Sequence, residues 1–198
     1  ALLSSGAEPN PSLDSICNQT FDNLSLANLS ELLQCQLVDS SFSNNQNIPS
    51  LKAIVGLNSF GSLLWPVDSK INLKVPIFLT GGTFDLVTPA ISEQLELFLA
   101  TKSNSFSRVL LVEGASHFSP IRVRDQKNNY IGDDVFKLGE SLVGFHPLTI
   151  QSLLAQEIIR FLDNLENEIE VPANTNLVQD NVLYHILDRK MIRKLVEH

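Results

Sequence analysis

Two short apolar runs, Val75-Pro76-Ile77-Phe78-Leu79-Thr80 and Arg108-Val109-Leu110-Leu111-Val112, constrain the fold of this chain more than any other feature. Both have the composition of strands buried on two faces. Each runs into a polar loop that carries glycine: Gly81-Gly82-Thr83-Phe84-Asp85 after the first and Gly114-Ala115-Ser116-His117-Phe118 after the second. Between them, Pro89 suits a first helical turn, and Ile91, Leu95, Phe98 and Leu99 point one helix face inward. Strand, helix and strand in that order form a βαβ unit, so the strands are expected to be parallel. Asp85 and His117 then fall just beyond strand carboxyl ends, where chemistry gathers in open α/β sheets.

A third apolar run, Leu51 to Asn58, has the length of another buried strand. Ile150, Leu153, Leu154, Ile158, Phe161, Leu162 and Leu165 keep the 3.6-residue period of a helix. Residues 1 to 7 read as a helix end stopped by Gly6, 8 to 27 as irregular, and Leu29 to Val38 as a short amphipathic helix. Residues 168 to 179 read as a polar linker, and Val182, Leu183, Ile186, Leu187 and Ile192 recur at the spacing of a terminal helix. The expected architecture is α/β, a parallel sheet with helices on both faces. It forms one domain: a helical or irregular segment at 1–50, the strands with both polar loops at 51–125, and C-terminal helices at 126–198.

A chain of 198 residues with 43% apolar and 18% charged residues is globular. Its net charge of −8 argues against a nucleic-acid partner, because phosphate binding needs clustered cations. The one basic cluster, Arg189, Lys190, Arg193 and Lys194, reads as a solvated helix face. No run of eighteen apolar residues is present, so no transmembrane segment is expected. Cys17 and Cys35 are too few for a structural metal site. They are either bridged, which favours a periplasmic or secreted protein, or two buried thiols of a cytoplasmic one. Ala1 is first and Met191 is the only methionine, so a processed chain, an excised fragment or part of a longer product is expected.

Asp85 and His117 have the residue types of two thirds of a hydrolytic triad. An imidazole can take a proton from an attacking hydroxyl if a carboxylate fixes its tautomer and stabilises the resulting imidazolium. Asp85 alone could be a helix cap, and His117 an ordinary loop histidine. Their order across one βαβ unit is more specific than either residue. Ser59, in Gly56-Leu57-Asn58-Ser59-Phe60-Gly61, sits one residue too far from its first glycine for a nucleophile elbow and reads as a strand-end turn. Ser116 adjoins His117 and is poorly placed to face it. His146 and His185 look isolated from carboxylates, and Leu63, Leu64 and Trp65 read as packing or as the lining of an acyl pocket.

The acid loop Gly82-x-x-Asp85-x-x-x-Pro89 and the histidine loop Gly114-x-x-His117-Phe118 resemble those of the α/β-hydrolase family. Leu29-Ser30-Glu31-Leu32-Leu33-Gln34-Cys35 and Val55-Gly56-Leu57-Asn58-Ser59-Phe60-Gly61-Ser62 extend the likeness, over roughly residues 1 to 125. It is to bacterial, often cyanobacterial, hydrolases grouped with dienelactone hydrolases and platelet-activating-factor acetylhydrolases. The resemblance implies the C-terminal part of a doubly wound parallel sheet, with Asp85 and His117 catalytic and no cofactor or metal. The substrate would be a small ester or acyl compound. The serine in Gly-x-Ser-x-Gly, which this sequence lacks, and the oxyanion donors would lie upstream. A non-catalytic interaction module that keeps the architecture without the nucleophile is the alternative.

Overall fold

The structure, a computed structural model, describes residues 2–22, 29–40, 48–120 and 147–197. The segment around Asp125, Asp133, Asp134 and His146 lies outside the described residues.

Among the described residues five strands form one sheet: β1 (Ile54–Leu57), β2 (Ile77–Gly82), β3 (Arg108–Val112), β4 (Asn174–Gln179) and β5 (Val182–Leu187). Their spatial order is β1-β2-β3-β5-β4. The first three are parallel, with Ile54 beside Ile77 and Phe78 beside Arg108. Strand β5 runs antiparallel to both β3 and β4. The sheet is therefore mixed, which corrects the expectation of a wholly parallel one. The polar linker at 168–179 and the terminal helix through 182–192 need correcting in part, because Asn174–Gln179 and Val182–Leu187 form a hairpin. Asp180 and Asn181 turn it with φ of 48° and 64°, the left-handed pair that a two-residue hairpin loop demands. Helix returns only at Arg189, so the 126–198 segment is not helical throughout.

Alternation along the strands divides the core. Ile54, Ile77, Leu79, Val109 and Leu187 face one way, into a cluster with Leu13, Cys17, Cys35, Leu95, Phe98 and Ile192. That side is covered by helices α1 (Leu13–Asp22), α2 (Leu29–Cys35), α3 (Ala90–Glu96 continued by Leu97–Ala100) and α5 (Arg189–Val196). Helix α3 starts with π-helical winding over Ala90–Glu96 and finishes as α-helix over Leu97–Ala100. On the opposite face Phe78, Leu110, Val112, Tyr184 and Ile186 meet Ile150, Leu153, Leu154 and Phe161 of α4 (Pro147–Glu166), with the Phe78 and Phe161 rings stacked at 5.1 Å. Helix α1 occupies a stretch read as irregular. The Cys17–Cys35 disulfide ties it to α2. Leu64 and Trp65 are buried in the first cluster, with the indole N–H donating to the Glu8 carbonyl at 2.9 Å, so their role here is packing.

A buried carboxylate anchors α3 to what precedes it. Glu93, with no exposed surface, accepts from the backbone N–H groups of Gly61 at 2.8 Å and Ser62 at 3.1 Å, from the Ser62 hydroxyl at 2.7 Å, and from the Ser30 hydroxyl. The Gln34 side-chain amide adds a donor at 3.2 Å. Among the described residues every partner is a donor, so the carboxylate is satisfied without an ion pair. One residue on, the Gln94 amide donates to the Ser59 carbonyl at 2.6 Å. The start of α3, immediately after the acid loop, is thereby locked to the exit of β1.

Candidate active site

Strands β2 and β3 end side by side, Gly82 beside Val112, so the loops that follow must share one small volume. Gly82 makes this possible: a Cβ at that position would lie 2.1 Å from the Ala115 carbonyl oxygen, and only a glycine permits the approach. Backbone bonds then join the loops, from Thr83 N–H to Val112 O at 3.1 Å and from Phe84 N–H to Ala115 O at 3.0 Å. Gly114, with φ of 73°, turns the second loop, and its N–H donates to the Thr83 hydroxyl at 2.9 Å.

Asp85 and His117 meet in that volume, with Asp85 Oδ2 3.1 Å from His117 Nδ1. The two carboxylate oxygens divide the work. Oδ1 accepts from the Val87 and Thr88 backbone N–H groups at 3.0 and 2.7 Å, an Asx turn that fixes the carboxylate plane. Oδ2 accepts from the Thr88 hydroxyl at 2.8 Å and faces the imidazole. Asp85 does not cap the following helix, which begins after Pro89 without a side-chain cap. The Asp85 side chain is wholly buried, whereas that of His117 is 22% exposed.

The tautomer follows from these contacts. Nδ1 faces a carboxylate oxygen and, at 3.0 Å, the Thr88 hydroxyl oxygen. A bare Nδ1 lone pair would oppose Oδ2, so in the neutral imidazole the proton belongs on Nδ1 and Nε2 is the acceptor. Among the described residues, Nε2 has no hydrogen-bond partner. A neutral imidazole held this way can accept a proton at Nε2 while the carboxylate stabilises the cation that forms.

Two residues that sequence reasoning passed over complete the arrangement. Thr88 is fully buried and its hydroxyl touches Asp85, His117 and, at 3.1 Å, the Asn58 carbonyl. The spacing Asp-x-x-Thr was a legible signal for its bond to Asp85. Asn58 leaves β1 with φ of 42°, and its side-chain amide donates to the carbonyls of Ser116 at 3.2 Å and His117 at 3.0 Å. No local signal could have shown that role.

The serines are engaged elsewhere. The Ser59 hydroxyl donates to Gln94 Oε1 at 3.1 Å, and the Ser116 and Ser119 hydroxyls lie 3.2 Å from each other within the turn. No serine of the described residues hydrogen-bonds His117. His185, read as isolated, is paired: its Nε2 lies 2.9 Å from Glu113 Oε1 and its Nδ1 accepts from the Asn176 N–H at 3.1 Å. The described residues contain no group of three or more His, Cys, Asp or Glu placed to hold a metal ion. Nor do they contain a helix long and apolar enough to cross a membrane. The chain matches no protein-family model and no curated protein.

Proposed function

We propose that this chain is the C-terminal portion of a serine-dependent α/β-hydrolase cleaving carboxylic esters or related acyl compounds. His117 is the general base and Asp85 the acid that orients it. The observation that carries the reading is the 3.1 Å contact between Asp85 Oδ2 and His117 Nδ1, beyond the ends of adjacent parallel strands, with Nε2 left as acceptor. The sequence has no Gly-x-Ser-x-Gly, and no described serine bonds the imidazole. In this reading the nucleophile and the oxyanion donors belong to an upstream segment, as the resemblance to α/β-hydrolases implies. The serine would attack the carbonyl carbon as its proton passes to Nε2. The imidazolium would return that proton to the departing alkoxide, and water would cleave the acyl-enzyme by the same route. This chemistry calls for no cofactor. The Cys17–Cys35 bridge fits a periplasmic or secreted protein.

One observation favours a second reading, a non-catalytic interaction module. Phe84 and Leu86, either side of Asp85, are 61% and 72% exposed, as befits a contact surface. Hydrolysis of a short p-nitrophenyl ester separates the two. With the residues encoded upstream restored, the enzyme reading expects turnover blocked by a fluorophosphonate. Asp85→Asn should lower it on the order of 10⁴-fold, as in other triads. No turnover in the restored protein would leave the interaction module. Fluorophosphonate-sensitive turnover by the 198-residue chain alone would put the nucleophile inside it, with Ser59 the first suspect.

A further inference from the structure

Lys70, Lys102, Arg189 and Arg193, from three distant stretches of chain, line a single groove of about 820 Å³ together with Asn72 and Thr101. We propose that this groove is a binding site for a small organic ligand carrying two or more phosphate groups, separate from the Asp85–His117 pair.

The fold assembles the groove at the amino-terminal ends of the parallel strands. Ile71 and Thr101, which precede β2 and β3, form a parallel bridge, with Ile71 N–H donating to Ala100 O at 2.7 Å and Lys102 N–H to Ile71 O at 2.8 Å. This brings Lys70 and Lys102 to the same edge. Strand β5 runs back along β3 with Leu187 beside Val109, delivering α5 to that edge as well. Arg189 is pinned there, donating to the carbonyls of Phe98 and Leu99 at 2.9 Å each and to that of Thr101. The catalytic candidates lie at the opposite strand ends, roughly 17–20 Å away for strands of ordinary length.

Its charge is unusual for this chain, which has 22 acidic against 14 basic residues. Cations in an acidic protein ordinarily find carboxylates. Among the described residues, none of Lys70, Lys102, Arg189, Lys190, Arg193 or Lys194 forms an ion pair, and Glu197 is the one acidic residue on the groove wall. The oxygens that Arg189 binds are neutral. The helix end they belong to offsets part of that one charge, and the other cations are left without an ion pair among the described residues. Burial first, and then the nearby Arg193, hold the Arg189 guanidinium below its ordinary value.

Size and chemistry narrow the ligand. The volume falls within the ~300–1,000 Å³ of small-molecule sites. Guanidinium forks and lysine point charges are phosphate binders, and the apolar Leu99 and Val196 can contact a carbon skeleton. An extended nucleic acid would meet the repulsion of the whole chain, net −8. A small anion senses only the local field, because charges beyond about 8 Å are screened at physiological salt.

Titration calorimetry with inorganic pyrophosphate and tripolyphosphate tests the proposal on the intact chain, with Lys102→Ala, Arg193→Ala and the control Lys52→Ala, a cation outside the groove lining. All three positions are exposed, so each variant should fold, which its melting curve would verify. The expected result is saturable one-to-one binding, weakened about tenfold or more by each groove variant, roughly 1.4 kcal/mol, and unchanged in the control. The proposal is overturned if neither probe saturates, if groove and control variants bind alike, or if a single-stranded oligonucleotide binds the groove more tightly than tripolyphosphate.

Discussion

The side-chain amide of Asn58 donates to the main-chain carbonyl of His117 at 3.0 Å, bridging 59 positions of sequence. A residue leaving β1 thus holds the loop after β3, and through its own carbonyl it also holds Thr88 in the loop after β2. Three strand exits converge on one buried residue, and the imidazole is oriented from its backbone as well as from its ring.

Asn58→Ala is expected to destabilise the protein by about 1–3 kcal/mol, the cost of leaving buried polar groups unpaired. It should also broaden the His117 ring signals in proton NMR. Asn58→Gly loses the same bonds but relieves the φ of 42°, so it should sit up to about 1–2 kcal/mol closer to wild type. Urea unfolding of the three proteins measures the order. An alanine variant as stable as wild type would show that the contact is incidental.

Cys17 and Cys35 close a loop with a separation of 18 residues, for which the chain-entropy model gives roughly 3 kcal/mol. The double variant Cys17→Ser with Cys35→Ser should unfold at correspondingly lower urea, and wild type in reducing buffer should match it. Titration of the unreduced, denatured protein should detect no thiol. Two free thiols would rule the bridge out.

Burial, and next the Glu93 carboxylate, push the Glu96 carboxyl above its ordinary value. The folded state therefore holds this proton more tightly than the unfolded state. Stability from this group is fully present below the ordinary carboxylate range and is lost as pH rises through the folded value. Glu96→Gln should raise the melting temperature at pH 7, with the gain disappearing at about pH 4 and below, where both states are protonated. A gain that persists in acid would assign the effect to something other than ionisation.

Strands β2 and β3 could be read directly, because a strand buried on both faces needs an apolar run and both runs lead into loops that carry glycine. The long α4 was equally plain, since its apolar residues keep one helical period over 20 positions. Val182-Leu183-Tyr184-His185-Ile186-Leu187 satisfied both periods at once. Tertiary pairing with β3 chose strand, burying Val182, Tyr184, Ile186 and Leu187, and the turn at Asp180-Asn181 was the overlooked local cue. Helix α1 is polar enough to read as irregular, and its disulfide and packing under the sheet make it a helix.

At the candidate site, sequence alone determined that Asp85 and His117 sit beyond strand ends in order, because loop position follows from strand length and direction. Only the tertiary structure decided the rest: that the two groups stand 3.1 Å apart, that Thr88 and Asn58 hold them, and that cations at 70, 102, 189 and 193 face one groove. Side-chain convergence across 30 to 120 positions leaves no periodic trace in the chain. It arises from the sheet register, which packing of the whole core selects.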